Sequence, residues 1–141
     1  YTPAWNGSAT NPTIGDGVVA GRYVSLGATV MGEISITGGS GAGGFNRGSG
    51  TYSFSLPTNA VASSYQPLGQ VVFRNEGPGN QFMGTALFIN VVAGVANTFQ
   101  CYMHGQVSTI DEGVPATEST PFLFDVNDKI LIQFTYESSL S

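Results

Sequence analysis

Charged residues are scarce in this chain. They make up 9% of its 141 residues, with four Lys or Arg against nine Asp or Glu and a net charge of −5. A protein that binds nucleic acid or an anionic membrane needs a basic surface to neutralise phosphates, and these few cations are too scattered to form one. We therefore expect no nucleic acid as a partner and no insertion into a membrane.

Cysteine and histidine are nearly absent, since Cys101 and His104 are the single examples of each. One cysteine excludes an internal disulfide framework and any multi-cysteine zinc or iron–sulfur site within one chain. No acid stands at a local spacing that would place it beside the ring of His104. A strand histidine with one hydrogen-bonded ring nitrogen is therefore favoured over a catalytic one.

The acidic residues do not form a recognisable site. Residues 125–128 concentrate oxygen atoms but lack the spacing of a calcium loop, and a turn explains them better. Asp111 and Glu112 could complete a metal cage with Glu118 only if the fold joins their loops. A glycoside hydrolase needs two carboxyl groups across the scissile bond, and the sequence singles out no such pair. We predict no catalytic residue, no metal and no cofactor.

Long apolar runs and helical periodicity are also missing. No stretch approaches the about 20 apolar residues of a membrane-spanning helix, and no window repeats its apolar residues with the helical period. Instead, short segments rich in β-branched and aromatic residues alternate with clusters of turn formers. These predicted strands are residues 18–26, 29–36, 51–56, 69–74, 82–92, 98–104 and 129–136. The pattern predicts an all-β fold, an antiparallel β-sandwich that is jelly-roll-like.

Alternation within the strands predicts which face of each strand is buried. Ile130, Ile132, Phe134 and Tyr136 share one face of the last strand, and the polar residues between them share the other. The glycine-rich residues 38–44 resemble a linker, but strand patterns continue on both sides of them. We interpret them as a flexible loop inside a single domain that spans residues 1–141.

One predicted strand, residues 82–92, is apolar on both faces. Leu87 and Ile89 lie on one face, with Ala86 and Phe88 opposite. The second face of such a strand needs a cover, and another copy of the same chain is the simplest one. This pattern favours a homo-oligomer.

Polar and aromatic loop residues are the candidate ligand contacts. Sugar-binding surfaces stack rings on aromatic side chains and hydrogen-bond to amides and acids, so Tyr65, Asn75 and Asn80 are the predicted ligand-binding residues. The alternative for each is an ordinary solvated loop residue. For Trp5, a structural role that pins the first segment to the core is favoured over a ligand platform.

Residues at both ends of the chain match a motif that recurs in one family of proteins. The match is specific over the first sixty residues. The motif residues present here are Tyr1, Thr2, Pro3, Trp5, Asn11, Pro12, Gly15, Gly17, Gly21, Tyr23, Gly27, Gly50, Tyr52, Phe54, Ser55, Leu56, Pro57, Pro121, Phe122, Asp128, Tyr136 and Glu137. This pattern resembles a terminal domain of bacteriophage tail, fibre and other virion surface proteins. Asn127 replaces the glycine of the family's late motif, which a turn tolerates because Asn adopts positive φ.

The resemblance implies a displayed, trimeric, non-enzymatic domain on the virion, in contact with other phage structural proteins. Our first hypothesis is a tail fibre, spike or capsid fibre domain that binds host-surface polysaccharide. The second is a purely architectural head decoration or tail component without a specific ligand. An enzyme that degrades capsule or cell wall is the least favoured. Because the sequence begins at Tyr1 without Met, we expect a processed product or a fragment of a longer chain.

Overall fold

The fold is built from strands alone. A computed structural model describes residues 1–104 and 113–139. Within these ranges there are nine strands and no helix: β1 (Trp5–Gly7), β2 (Val18–Leu26), β3 (Thr29–Thr37), β4 (Tyr52–Val61), β5 (Pro67–Asn75), β6 (Asn80–Leu87), β7 (Val95–Met103), β8 (Val114–Pro115) and β9 (Lys129–Ser138). In the part of the chain that is described, no helix is long and apolar enough to cross a membrane.

All strand pairings are antiparallel and belong to one sheet with the order β1-β4-β7-β6-β5-β9-β3-β2. A further pairing of β4 with β9, at Ala60 with Ser138 and Val61 with Glu137, closes the sheet on itself. The strands β4, β7, β6, β5 and β9 thereby form a closed barrel, while β3 and β2 extend from it beside β9. The last strand, β9, is central in the sheet. One of its edges is hydrogen-bonded to β3, and the other is hydrogen-bonded first to β5 and then, near the end of the strand, to β4.

The all-β, antiparallel prediction is confirmed. The strands do not separate into the two sheets of a clear sandwich, and the jelly-roll arrangement is not confirmed. The physical reason is that alternation of side chains determines which face of a strand is buried, whereas the neighbour on each edge depends on backbone pairing that any residue can make.

The predicted inward faces form the core. Ile130, Ile132, Phe134 and Tyr136 are all buried on β9. On β4 and β7 the alternating residues Tyr52, Phe54, Leu56, Phe99, Cys101 and Met103 are buried as well. Each large apolar side chain contributes about 1.5–3 kcal/mol on burial, so this interior supplies the main force that holds the barrel closed.

The segment predicted as one strand over residues 82–92 is shorter in the structure, because β6 ends at Leu87. Phe88, just beyond it, is buried in the core of the same chain, and Val92 is exposed. The chain turns at Ala93 and Gly94, which both have positive φ. Part of the two-sided apolar pattern is therefore explained within one chain, which weakens this cue for an oligomer.

The N-terminal residues are tied to the barrel, as predicted for Trp5. The Trp5 ring packs edge-on against Tyr52 at 5.1 Å and Phe124 at 5.5 Å between ring centroids. The backbones of Tyr1 and Gly21 exchange hydrogen bonds of 2.9 and 3.0 Å. The first segment therefore bridges the outer edge of β2 and the barrel.

The barrel has two different ends. The three longest described connections, residues 8–17, 38–51 and 116–128, and the β5–β6 turn, residues 76–79, lie at one end, which we call the loop end. The short β2–β3 turn and the β4–β5 and β6–β7 connections lie at the opposite end. Functional residues concentrate on loops that a rigid scaffold positions, so we expect a functional site at the loop end.

Candidate ligand-binding cleft at the loop end

A polar cleft opens at the loop end between residues 41–48 and residues 118–126. Its volume is about 480 Å³. Its polar and aromatic lining side chains are Phe45, Asn46, Arg47, Glu118 and Asp125, and Val126 adds an apolar one. We call this the loop-end cleft; it combines a guanidinium group, two carboxylates and an amide with one aromatic ring.

Arg47 is positioned through its backbone. The buried Tyr52 hydroxyl donates a 2.8 Å hydrogen bond to the Arg47 carbonyl. Burial, with a contribution from the nearby Glu118 carboxylate, raises the pKa of Tyr52, so the hydroxyl remains a donor at neutral pH. A core strand residue thus holds the backbone of a cleft residue in place.

The Arg47 side chain faces Asp125 across the cleft. Its Nη2 atom lies 3.6 Å from Oδ1 of Asp125, and both side chains are partly exposed. An ion pair in such a setting contributes only about 0–1 kcal/mol, because water screens the charges. A ligand that hydrogen-bonds to either group therefore displaces little stabilising energy.

The two remaining polar residues are oriented by backbone amides of the same loops. Oε2 of Glu118 accepts a 2.8 Å bond from the amide of Gly50, and Oδ1 of Asn46 accepts a 2.8 Å bond from that of Gly48. Among the described residues, the second Glu118 oxygen and the Asn46 amide nitrogen have no hydrogen-bond partner. In each side chain, one polar atom is therefore fixed by a backbone amide and the other is available to a ligand.

Residues 125–128 form the turn that the sequence predicts. Asp128 is 3% exposed, and its carboxylate accepts hydrogen bonds from the amides of Glu76 (2.9 Å) and Asp125 (2.7 Å). Asn127 has a φ of 65°, so Asn does adopt a positive φ in this turn, as expected. The acids here shape the rim of the loop-end cleft.

Metal binding by these acids gains no support. Asp111 and Glu112, the other members of the cage considered above, lie outside the described residues. Over residues 1–104 and 113–139, no three His, Cys, Asp or Glu side chains lie close enough together to hold a metal ion.

The glycine-rich residues 38–44 border the loop-end cleft and are held by hydrogen bonds. Asp16 accepts hydrogen bonds of 2.7 Å from both the amide and the hydroxyl of Ser40. The Ser40 hydroxyl oxygen also accepts a 2.9 Å hydrogen bond from the Gly43 amide. These bonds from Ser40 lower the pKa of Asp16. The interpretation as a free loop overlooked this contact, because Asp16 is distant in sequence.

The structure places the predicted ligand residues at both ends of the barrel. Asn75 and Asn80 are cross-strand partners beside the turn of the β5–β6 hairpin, at the loop end. Tyr65 lies before β5 at the other end, is 69% exposed and has a φ of 64°. The nine residues of β5 separate these ends by about 30 Å. A single small ligand cannot contact all three residues, and their individual roles stay predictions.

His104 follows the last residue of β7. Its Nε2 atom lies 2.8 Å from the Thr85 hydroxyl, so one ring nitrogen is hydrogen-bonded as predicted. The histidine is on the outer surface of the strands, away from the residues that line the loop-end cleft.

Arg47, like its neighbours Phe45 and Asn46, is a cleft residue that sequence reasoning missed. The available signal was its position as one of only four cations, next to Asn46 in a loop dominated by glycine. Its neighbours Glu118 and Asp125 are about 70 residues away in sequence, so only the closed barrel brings them together.

Comparison with models of known families, with curated proteins and with solved structures finds no match for this chain. The structure does show what the motif residues do. Gly15, Gly27 and Gly50 have φ of 59°, 63° and 87°, which few other residues adopt, and Trp5 and Phe54 are in the core. These five residues stabilise turns and the core, and the residues that line the loop-end cleft all lie outside the motif.

Proposed function

We propose that this chain is a non-enzymatic bacteriophage structural domain, part of a tail fibre, spike or capsid fibre, displayed on the virion surface. In this proposal it binds a host-surface glycan in the loop-end cleft. Other phage structural proteins are its neighbours in the particle. The family resemblance implies that copies of the domain form a trimer, an expectation that the molar mass in solution tests.

The observation that carries the proposed binding role is the convergence of Arg47, Glu118 and Asp125 on one cleft at the loop end. Sugar hydroxyls both donate and accept hydrogen bonds. Carboxylates accept such bonds and a guanidinium donates them, and charge-assisted bonds of this kind are about twice as strong as neutral ones.

The loop-end cleft offers little aromatic surface on which a sugar ring could stack. Phe45 lines the loop-end cleft but also packs toward Phe124, with ring centroids 6.2 Å apart. Binding at one site is then expected to be weak and to rely on hydrogen bonds. Several copies on one particle would raise the overall affinity without any new contact.

A jelly-roll-like arrangement is part of the same proposal. In support, β2 and β3 lie outside the barrel ring, and the segment from Tyr1 leads from Gly21 of β2 back to Ser55 of β4. The N-terminal segment therefore connects β2, which lies outside the barrel, to β4 of the barrel.

The test is binding of the fluorescently labelled domain to a panel of bacterial strains, followed by titration with the polysaccharide extracted from any strain that binds. Mild periodate treatment of the cells, which cleaves vicinal diols, should remove binding, whereas protease treatment should not. Arg47→Ala should weaken the titrated affinity at least tenfold, equivalent to about 1.4 kcal/mol.

Arg74→Ala is the matched control, because Arg74 is at the same end of the barrel but does not line the cleft. It should keep the parental affinity. Equal losses in both variants, or binding that resists periodate, would refute a glycan site in the loop-end cleft.

A purely architectural role is the second candidate. The placement of the motif residues in turns and core, away from the cleft, favours it. Failure of the domain to bind any strain, together with its incorporation into phage particles, would establish this role in place of the first.

A further inference from the structure

The strand β2 ends the sheet and is paired on one side only. Its register with β3 runs without interruption from Val18, opposite Thr37, to Leu26, opposite Thr29. Within residues 1–104 and 113–139, no other strand is hydrogen-bonded to its outer edge. A long, regular edge of this kind is a template for pairing with another strand.

The backbone groups that point outward from this edge can be identified. Gly21 exchanges two hydrogen bonds with Tyr1, so its N–H and C=O point away from β3. Because the direction alternates along a regular strand, the backbone groups of Tyr23 and Ser25 point the same way. The Tyr1 ring packs edge-on against the Tyr23 ring, with centroids 5.7 Å apart, but the Tyr1 backbone bonds only Gly21. The outward backbone groups of Tyr23 and Ser25 have no partner in the described chain.

The side chains around Tyr23 and Ser25 are apolar and exposed. All residues from 22 to 26 are exposed, with Val24 at 50% and Leu26 at 63%. Met31, the cross-strand partner of Val24, is exposed beside them, and a hollow of about 330 Å³ lies here. The strand has no proline or bulge to protect its edge, and its one charged residue, Arg22, is paired with Glu33.

The charge of this surface suits a second copy of the chain. Its only ion pair joins Nε of Arg22 to Oε1 of Glu33 at 2.9 Å, and the two charges cancel. A chain of net charge −5 would repel its own copy through most surfaces, but this one is locally neutral.

We propose that residues 23–25 of β2 pair antiparallel with the same residues of a second copy, about a two-fold axis at Val24. The closed barrel leaves no alternative edge of similar length in the described chain, because β1 has three residues and β8 two. Edge pairing between copies must then join β2 to β2. Such a self-complementary contact closes with two chains, unlike the trimer that the resemblance implies.

This pairing places specific residues together. Tyr23 and Ser25 of the second copy exchange backbone hydrogen bonds, and the two Val24 residues form the non-hydrogen-bonded pair between them. In such a pair the Cα atoms are about 4.5 Å apart. Arg22 lies beside Leu26 of the second copy, and its aliphatic stem covers that side chain.

The first measurement is molar mass by sedimentation over a wide range of concentration. The mass should rise from one chain, 14.6 kDa, to twice that value and no further. Val24→Lys should hold the protein at one chain, because it brings like charges together on the axis. Val18→Lys is the matched control, since Val18 is on the same strand and face with 54% exposure but outside the paired segment. It should retain the parental dimer.

A crosslink provides an independent readout. Val24→Cys should form a disulfide dimer under mild oxidation, since the Cα spacing of the pair lies within the 4.4–6.8 Å range of disulfides. Val18→Cys should remain monomeric, and the native Cys101 is buried and cannot interfere. A parental mass of one or three chains, a Val24→Lys dimer, or equal crosslinking of the two cysteine variants would each overturn the proposal. None of these results depends on glycan binding.

Discussion

Asp128 accepts a 2.9 Å hydrogen bond from the backbone amide of Glu76, and this bond joins the tip of the β5–β6 hairpin to the start of β9. The second oxygen of the same buried carboxylate accepts the amide of Asp125. One side chain therefore connects the hairpin that carries Asn75 and Asn80 to the rim of the loop-end cleft.

Asp128→Ala should lower the free energy of unfolding by about 2–3 kcal/mol, because it leaves two backbone amides without an acceptor. Asp128→Asn retains one side-chain oxygen and should lose about half as much. Denaturant unfolding measures both values. Equal stability of Asp128→Ala and the parent would mean that water replaces the carboxylate.

Tyr52→Phe should weaken ligand binding while the protein stays folded. The change removes the hydroxyl that donates to the Arg47 carbonyl, at a cost of about 0.5–1.5 kcal/mol in stability. Because the Arg47 loop is then less well positioned, we also expect a several-fold weaker affinity for the extracted polysaccharide. Tyr136→Phe is the control, because it removes a hydroxyl that donates to the Thr58 carbonyl at the opposite end of the barrel. It should lower stability by a similar amount and leave the affinity unchanged.

Gly32→Ala should destabilise the barrel by about 1–3 kcal/mol. A Cβ atom at Gly32 would lie 2.6 Å from the buried Phe134 ring and 2.5 Å from the Arg22 carbonyl oxygen, so the core or the strand must shift. At Gly41 a Cβ atom would meet nothing within 4 Å. Gly41→Ala should therefore be neutral within about 0.5 kcal/mol, and a comparable loss in both variants would contradict this packing argument.

The contact between Asp16 and Ser40 should depend on pH. Hydrogen bonds from Ser40 hold the pKa of Asp16 below its ordinary value of 3.8 in the folded chain. Since the folded pKa is lowered, the stabilisation is complete above that ordinary value and is lost as the pH falls through the lower folded value.

Amide hydrogen exchange of Ser40 measures this contact residue by residue. Relative to neighbouring amides, protection should fall only below about pH 4. Asp16→Asn should show weaker protection with no such step. A step of the same size in the variant would assign the titration to another group.

Cys101 should be inert in the folded protein. Burial raises the pKa of its thiol well above the ordinary value, and the thiolate is the reactive form. A thiol reagent such as dithionitrobenzoate should label it only after unfolding in denaturant. Rapid labelling of the native protein would show that the barrel opens readily beside β7.

Much of the fold follows from local patterns. The segment from Val18 to Leu26 was predicted with the bounds of β2, and the alternating residues of β9 confirmed which face is buried. These predictions succeed because a strand's side chains alternate with a period of two whatever its neighbours are. The predicted strand over residues 82–92 is too long, since the backbone of Phe88 bonds the loop residues Tyr65 and Gln66, which the apolar pattern does not show.

The candidate site was much less predictable. Asn75 and Asn80 do meet at the loop end, but Tyr65 lies at the opposite end, and Arg47 was not considered. A loop sequence shows that its residues are polar and exposed. It does not show which distant loop faces them, because that depends on the order of strands around the barrel.

By itself, then, the sequence determined an antiparallel all-β chain, the inward faces of its strands and the turn at residues 125–128, all of which depend on neighbours in sequence. Only the tertiary structure decided that β4 meets β9 to close a barrel, that Arg47 faces Asp125, and that β2 is left with a free edge. The physical reason is that backbone hydrogen bonds between strands are the same for every residue type. The choice of partner strand is therefore made by packing of the whole core.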